Sequence, residues 1–418
     1  MSMDRRGPGR PASPVAVGGL LVGLTALAFL LPFANQRLIQ QTGFSQALGL
    51  ELAAGHALFV ADGSPYVVED LASSAQVLQG ELTQLQDEAL TEPYDRPVWG
   101  LAPFALLAVL PADWVLAIWL SLAQVSLPLI VWASLRLAGW RPEPRVSGSL
   151  MLASFLWYYG AQAVLSGTPT ALAVGLVVGS MAFARSGLDF PAGLLLALAG
   201  FEPWICLLGL VFLTVWGAVG RRWLLVATPW LGLAGLSVLS WSWLPGWPVA
   251  WLSAVVSLRQ AGQDGSLVLD LVNGPLGLLL VALLAVLLLW QWAVTAGKGQ
   301  RWFGWAASLT LAIGYPLLAV PKPASALLLL PGLFMCVGVW LDRWRRTGAL
   351  MALVLGLALL AVPWASFALL PTASGDIPPW LLWFPWLLVF PALWWVRWWA
   401  AVPAQLPETG WTEGRGPR

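Results

Sequence analysis

A chain of 418 residues that is 59% hydrophobic and 10% charged, with mean hydropathy +0.77, lacks the polar cover of a water-soluble fold, since a soluble domain carries roughly 25% charged residues. The net charge of +1 leaves no global electrostatic case for nucleic acid as a partner. The single histidine, His56, excludes a multi-histidine metal site, and Cys206 and Cys336 sit inside apolar runs with neither disulfide nor thiolate-metal spacing.

The N-terminus carries Arg5, Arg6 and Arg10 ahead of an apolar run from Pro14 to Phe33. That run is long for the core of a signal peptide, and no small-x-small cleavage site follows it. It reads as an uncleaved first transmembrane helix. Further apolar stretches cover 114–135, 147–165, 170–184, 190–203, 204–219, 223–243, 271–293, 302–320, 323–341, 348–370 and 379–398. A helix needs about 20 apolar residues to cross the hydrocarbon core, so these give an all-α polytopic membrane protein with about twelve crossings. The short apolar segment 98–111 is either a short crossing or a re-entrant piece.

Charge decides between those two. Cytoplasmic loops are rich in Lys and Arg. With 98–135 as one crossing and the N-terminus inside, seventeen basic residues fall inside and only Arg37, Arg96, Arg259 and Lys322 outside. A second crossing there would move the cluster Arg136, Arg141 and Arg145, and every later inside cluster, to the wrong side. Residues 1–400 then form a single transmembrane domain in the cell membrane with both termini cytoplasmic. The polar, Pro- and Gly-rich tail 403–418 reads as disordered.

Two outside segments are long, 34–96 and 244–270. The first holds nine of the twenty acids, among them Glu51, Asp62, Glu69 and Asp70. It also has helical periodicity: Leu48, Leu52, Ala53 and His56 share one face, and Leu71, Ala75, Leu78, Leu82 and Leu85 another. These predict amphipathic helices on the membrane surface. The 29 tryptophans read mainly as interfacial belts, as at Trp383, Trp386, Trp394, Trp395, Trp398 and Trp399 around the last span. Stacking on a sugar by a few outside tryptophans is the minority reading.

Phosphate loops, nucleophile elbows and histidine metal motifs are absent from the sequence. Chemistry therefore has to come from carboxylates and cations at the outer surface. A carboxylate there can act as general base on a hydroxyl. Arg and Lys can hold a phosphate by charge-assisted hydrogen bonds. Arg96 and Lys322, placed against the charge rule, are candidates for that role; pairing with the nearby acids is the alternative. Glu202, in Gly200-Phe201-Glu202-Pro203-Trp204, is the one acid inside an apolar stretch. It is either a functional intramembrane charge or, with Pro203 beside it, a residue at a membrane face.

Several motifs resemble those of the GT-C glycosyltransferases, and of glycosyltransferase family 87 in particular, the polyprenol-phosphate-mannose-dependent mannosyltransferase-like proteins. The segment from Glu51 through Ala53, Ala54 and Gly55 to Asp62, Gly63, Pro65 and Tyr66 is similar to that family's first loop. The run Pro93-Tyr94-Asp95-Arg96-Pro97-Val98-Trp99 stands where the family has its aromatic-x-Tyr-Pro-Pro element. Leu110-Pro111 with Trp114, Trp119 and Leu120, and then Ser166-Gly167-Thr168-Pro169, Ala192-Gly193 and Glu202-Pro203, continue the likeness over about 45–225. The chain departs from the pattern in three places. It has no Asp ahead of the Ala-rich helix, lacks the Gln and Asn of the middle motif, and carries Glu202 where the family has Lys.

The resemblance implies a hexosyltransferase that needs no cofactor. The donor would be a polyprenyl-phosphate sugar, with mannose the implied hexose, and the acceptor a hydroxyl of a lipid or glycan. It further implies Glu51 as base, with Asp62, Glu69 and Asp70 as alternatives. Arg96 and Lys322 would bind the donor phosphate, and Tyr94 and Trp99 would line the donor groove. A catalytically inactive relative, a transporter and a structural membrane subunit are the competing classes; a transporter would place ionisable groups mid-helix or show inverted repeats.

Overall fold

Every regular element among the described residues is helical. The computed structural model describes residues 30–39, 49–81, 93–260, 275–318, 322–369 and 378–401. Most of the expected first span and all of the expected tail 403–418 lie outside that set, as do Leu82, Leu85 and part of the loop 244–270.

Residues 30–39 are helical. After them come α1 (Gly49–Phe59), α2 (Val68–Glu81), a 3-10 helix (Val98–Ala108), α3 (Ala112–Ala138), α4 (Pro144–Leu156), α5 (Tyr158–Leu165), α6 (Thr170–Arg185) and α7 (Asp189–Leu198). A 3-10 turn (Ala199–Phe201) leads into α8 (Pro203–Val219), α9 (Trp223–Trp243) and α10 (Trp247–Gln260). The rest is α11 (Pro275–Thr295), α12 (Gln300–Leu318), a 3-10 segment (Pro323–Leu329), α13 (Leu330–Leu369) and α14 (Pro379–Ala401).

Six segments are long and apolar enough to cross a membrane: 112–138, 223–243, 275–295, 323–344, 346–369 and 380–400. Their outward faces need lipid. Leu231, Val238, Leu276 and Val286 are all more than 60% exposed, and water would make such a surface an aggregation site. Three of the other expected crossings are shorter, with 16 residues in α6, 10 in α7 and 17 in α8. The expected span 147–165 is broken at Trp157, whose ψ of 129° is extended and separates α4 from α5.

The two spans expected at 323–341 and 348–370 are joined without a loop. Helical backbone runs through all 40 residues of α13, yet Gly348 lies against the carbonyl of Trp340, eight residues earlier. A straight helix would separate them by about 12 Å. The segment is therefore a helical hairpin folded at its arginine-rich middle.

Small residues let the shorter helices approach closely. Gly193 of α7 sits against Thr228 and Pro229 of α9, and Gly232 against Ala197. Two apolar cores result. The larger runs from α3 through α14, and the smaller gathers α1, α2, the 3-10 helix, the start of α3 and α10.

The first loop departs from expectation in one respect. α2 buries Leu71, Ala75 and Leu78 on one side, as its periodicity predicts. α1 is not a surface helix: none of its residues is exposed. Its far side is as small and apolar as its near side, which makes it a core helix. Gly55 gives the close approach to Phe104 of the 3-10 helix. The tryptophans are also only partly a belt, because Trp383 and Trp386 are buried while Trp395 and Trp398 are exposed.

Charged residues separate to the two ends of the bundle. Arg136, Arg141, Arg185, Arg301 and Arg343 surround one space. Beside it Arg222 donates to the carbonyl of Ala184 and pairs with Asp189, tying the start of α9 to the start of α7. Glu51, Asp95, Arg96, Glu202 and Lys322 gather at the opposite helix ends.

Candidate functional site

The site is built around one stretched segment, Pro93–Pro97. Its prolines disfavour helix, and Pro97 has the extended φ −61°, ψ 145° just before the 3-10 helix. Three successive residues are anchored through their backbones. The Tyr94 N–H donates to the Pro65 carbonyl at 3.1 Å. The Trp251 indole N–H donates to the Asp95 carbonyl at 2.9 Å. The Tyr66 hydroxyl donates to the Arg96 carbonyl at 2.9 Å. The segment thus presents the Arg96 side chain inward, where it is 3% exposed.

Arg96 meets carboxylates from two distant helix ends. Its Nη1 donates to Glu51 Oε1 on α1 at 2.5 Å. Its Nε lies 2.9 Å from Glu202 Oε1 and 3.9 Å from Asp95 Oδ1. The Nε–H is not aimed at either oxygen, so those two contacts are electrostatic rather than hydrogen-bonded. Thr170 Oγ1, at the start of α6, donates to the same Glu202 oxygen at 3.5 Å. Glu202 occupies the non-helical residue between the Ala199–Phe201 turn and α8, with Pro203 at the first helical position. Proline is suited to that position because it needs no N–H partner there.

Glu51 and Glu202 are each 5% exposed, so this is a buried charge cluster. Burial opposes the charge on Arg96, but Glu202, Glu51 and Asp95 outweigh it and hold the guanidinium well above its ordinary range. Burial likewise raises the Glu202 carboxyl, against the pull of Arg96 and Lys322. Burial also pushes the Tyr94 phenol up, so that it stays neutral beside Arg96. Lys322, half-buried at the start of its 3-10 segment, is the second cation acting on Glu202.

Among the residues singled out from sequence, Glu51, Arg96, Glu202 and Lys322 are brought together. Tyr94 is buried beside the cluster, its ring centroid 6.0 Å from the Arg96 guanidinium carbon. Trp99 packs edge-on against Trp247 at 5.2 Å and lies near Gly200, just before Glu202. The alternatives to Glu51 are elsewhere. Asp62 is exposed with a left-handed φ of 52°. Glu69 is exposed, and Asp70 accepts from the Ser64 N–H at 2.8 Å, closing the turn ahead of α2.

Thr170 and Trp251 belong to the site but carry no signal of it in the sequence. One is a threonine after a proline and the other is one tryptophan of 29. Among the described residues no group of three or more His, Cys, Asp or Glu could hold a metal ion. The arrangement sets Arg96, engaged by carboxylates, and half-buried Lys322 beside Glu202, so Lys322 is the cation left to meet an anion while the carboxylates offer an acceptor for a proton. No protein-family model matches the chain, and no curated protein or solved structure matches it either.

Proposed function

We propose that the chain is a membrane hexosyltransferase, crossing the bilayer about twelve times with both termini cytoplasmic and the Glu51–Arg96 end on the outer face. It moves a hexose from a polyprenyl phosphate to a hydroxyl of a lipid or glycan. The observation that carries this reading is the meeting of Glu51, Arg96, Glu202 and Lys322 from four separate parts of the chain. Burying such a cluster is expensive even when it is paired, and strongly perturbed charge clusters concentrate at functional sites.

In the proposed step the acceptor oxygen bonds to the anomeric carbon as the bond from that carbon to the phosphate oxygen breaks. The acceptor proton passes to Glu51, and polyprenyl phosphate leaves as the anion. Glu51 binds Arg96 through Oε1, and Oε2 takes the proton. Lys322 receives the phosphate charge, because Arg96 is already engaged by carboxylates. Lys322 thereby stands in for the cation that Glu202 replaces in the family pattern. Trp99, only partly buried, shapes the wall beside the donor, and Tyr94 supports Arg96 from the interior.

The crowding of three carboxylates about Arg96 favours a second reading, a non-catalytic relative in which the cluster only ties the first loop to the bundle. The test is transfer of radiolabelled hexose from polyprenyl phosphate in membranes bearing wild type or Glu51→Gln, with thermal unfolding measured on both. Catalysis predicts at least a ~100-fold loss of transfer in the variant with its unfolding temperature kept. Equal incorporation by both proteins removes Glu51 as the base. No incorporation by either, with a lower unfolding temperature for the variant, establishes the structural tie.

A further inference from the structure

At the end of the bundle opposite Glu51 and Arg96, the helix ends surround a half-open cavity of about 650 Å³. Five arginines line it, Arg136, Arg141, Arg185, Arg301 and Arg343, and Asp342 is the only acid among the described residues on its wall. They come from the end of α3 and the loop after it, the end of α6, the start of α12 and the first arm of α13, so the fold brings together charges that are far apart in sequence. Arg301 and Arg141 are close enough to act repulsively on Arg185.

The fold fixes one of these arginines in place. Arg185 Nη1 donates to the carbonyls of Arg136 and Leu137, two acceptors in the last turn of α3. Gly139, in the left-handed conformation at φ 75°, and Gly304 leave the room in which its guanidinium lies. A side chain at either glycine would collide with it. Trp140, Met335 and Trp399 supply an apolar portion of the same wall.

A preference for cytoplasmic arginine accounts for the sign of the charge but not for its convergence on one cavity. Mutual repulsion disfavours that convergence in the absence of an anion. Planar guanidiniums match phosphate oxygens in pairs, and basic pockets between membrane helices suit lipid headgroups. We infer that this cavity binds a phosphate group of multiple negative charge, presented by a lipid headgroup or as a free anion. The inference does not depend on the proposed transferase activity.

The full chain in detergent is tested by native mass spectrometry with phosphatidic acid and with phosphatidylcholine of the same acyl chains. A second arm titrates inorganic pyrophosphate calorimetrically. Arg141→Gln with Arg301→Gln removes two exposed cavity cations and leaves Arg185 on its carbonyls; Arg145→Gln removes a basic residue outside the cavity. The expected result is one retained phosphatidate per chain, preferred over phosphatidylcholine, and weakened about tenfold or more by the double substitution but not by Arg145→Gln. Pyrophosphate that binds and displaces phosphatidate identifies the anion itself as the ligand; phosphatidate bound without measurable pyrophosphate binding identifies the lipid headgroup. Equal retention of the two lipids with no pyrophosphate binding overturns the inference, as does a preference that survives the double substitution.

Discussion

At the scale of single residues, Glu202 has the most distinctive electrostatics. Its sequence position leaves two readings open, because Pro203 can place it at a helix end as readily as mid-helix. The fold puts it at a helix end, facing Arg96 and Thr170. Its carboxyl is raised above the ordinary 4.5 chiefly by burial. A group raised on folding favours the folded state fully below its ordinary value, and that contribution is lost as pH rises through the folded value. Glu202→Gln removes this dependence. The unfolding temperature of the wild type, relative to Glu202→Gln, is expected to fall as pH rises above the ordinary 4.5. Scanning fluorimetry in detergent checks it, and a wild type that gains on the variant as pH rises would refute it. Glu51, Arg96 and Lys322 are legible in sequence because charge is scarce in this chain, and the loop-by-loop charge count predicts the two cations on the side where cations are rare. Thr170 and Trp251 are not legible, because their role comes only from helices that end beside the cluster.

At the scale of elements, patterning shows most helices but not how they are cut and joined. α2 is readable because its apolar residues recur on one side only. α1 has the same recurrence, but Ala54, Ala57 and Leu58 make its other side apolar too, so periodicity alone cannot distinguish a surface helix from a buried one. The break at Trp157 follows from tertiary bonds that no local pattern contains: its indole donates to the Leu359 carbonyl at 3.0 Å. The contact of α7 with α9 makes a direct test of how these short helices hold together. Gly193→Leu would drive a side chain into Thr228 and Pro229, at an expected cost of about 1–3 kcal/mol from overpacking. Gly235, on the same α9, has open space where a Cβ would stand, so Gly235→Leu is expected to leave the unfolding temperature unchanged. Equal effects of the two substitutions would show that this packing is not what joins the helices.

At the scale of the molecule, the division of charge is the feature that sequence and structure share. Counting basic residues loop by loop separates the same cations that the packing places at opposite ends, with Arg136, Arg185 and Arg301 at one and Arg96 and Lys322 at the other. Which end faces the cytoplasm is settled by labelling. Cys206 and Cys336 are buried, which leaves introduced thiols as the reporters. With intact cells, a membrane-impermeant maleimide is expected to label Asp62→Cys and to spare Arg145→Cys until the membrane is opened. The reverse pattern would invert the orientation and remove the outer-face assignment of Glu51.

The fold-back between Trp340 and Gly348 sets a constraint of a different kind. With no slack between its two arms, the hairpin cannot absorb a change in length. One residue added within either arm would turn everything beyond it by about 100° about the helix axis. Faces now packed against protein would then be turned toward lipid. The spacing of this segment is consequently under as much constraint as its composition: conservative replacements can be tolerated along it, whereas single insertions and deletions cannot.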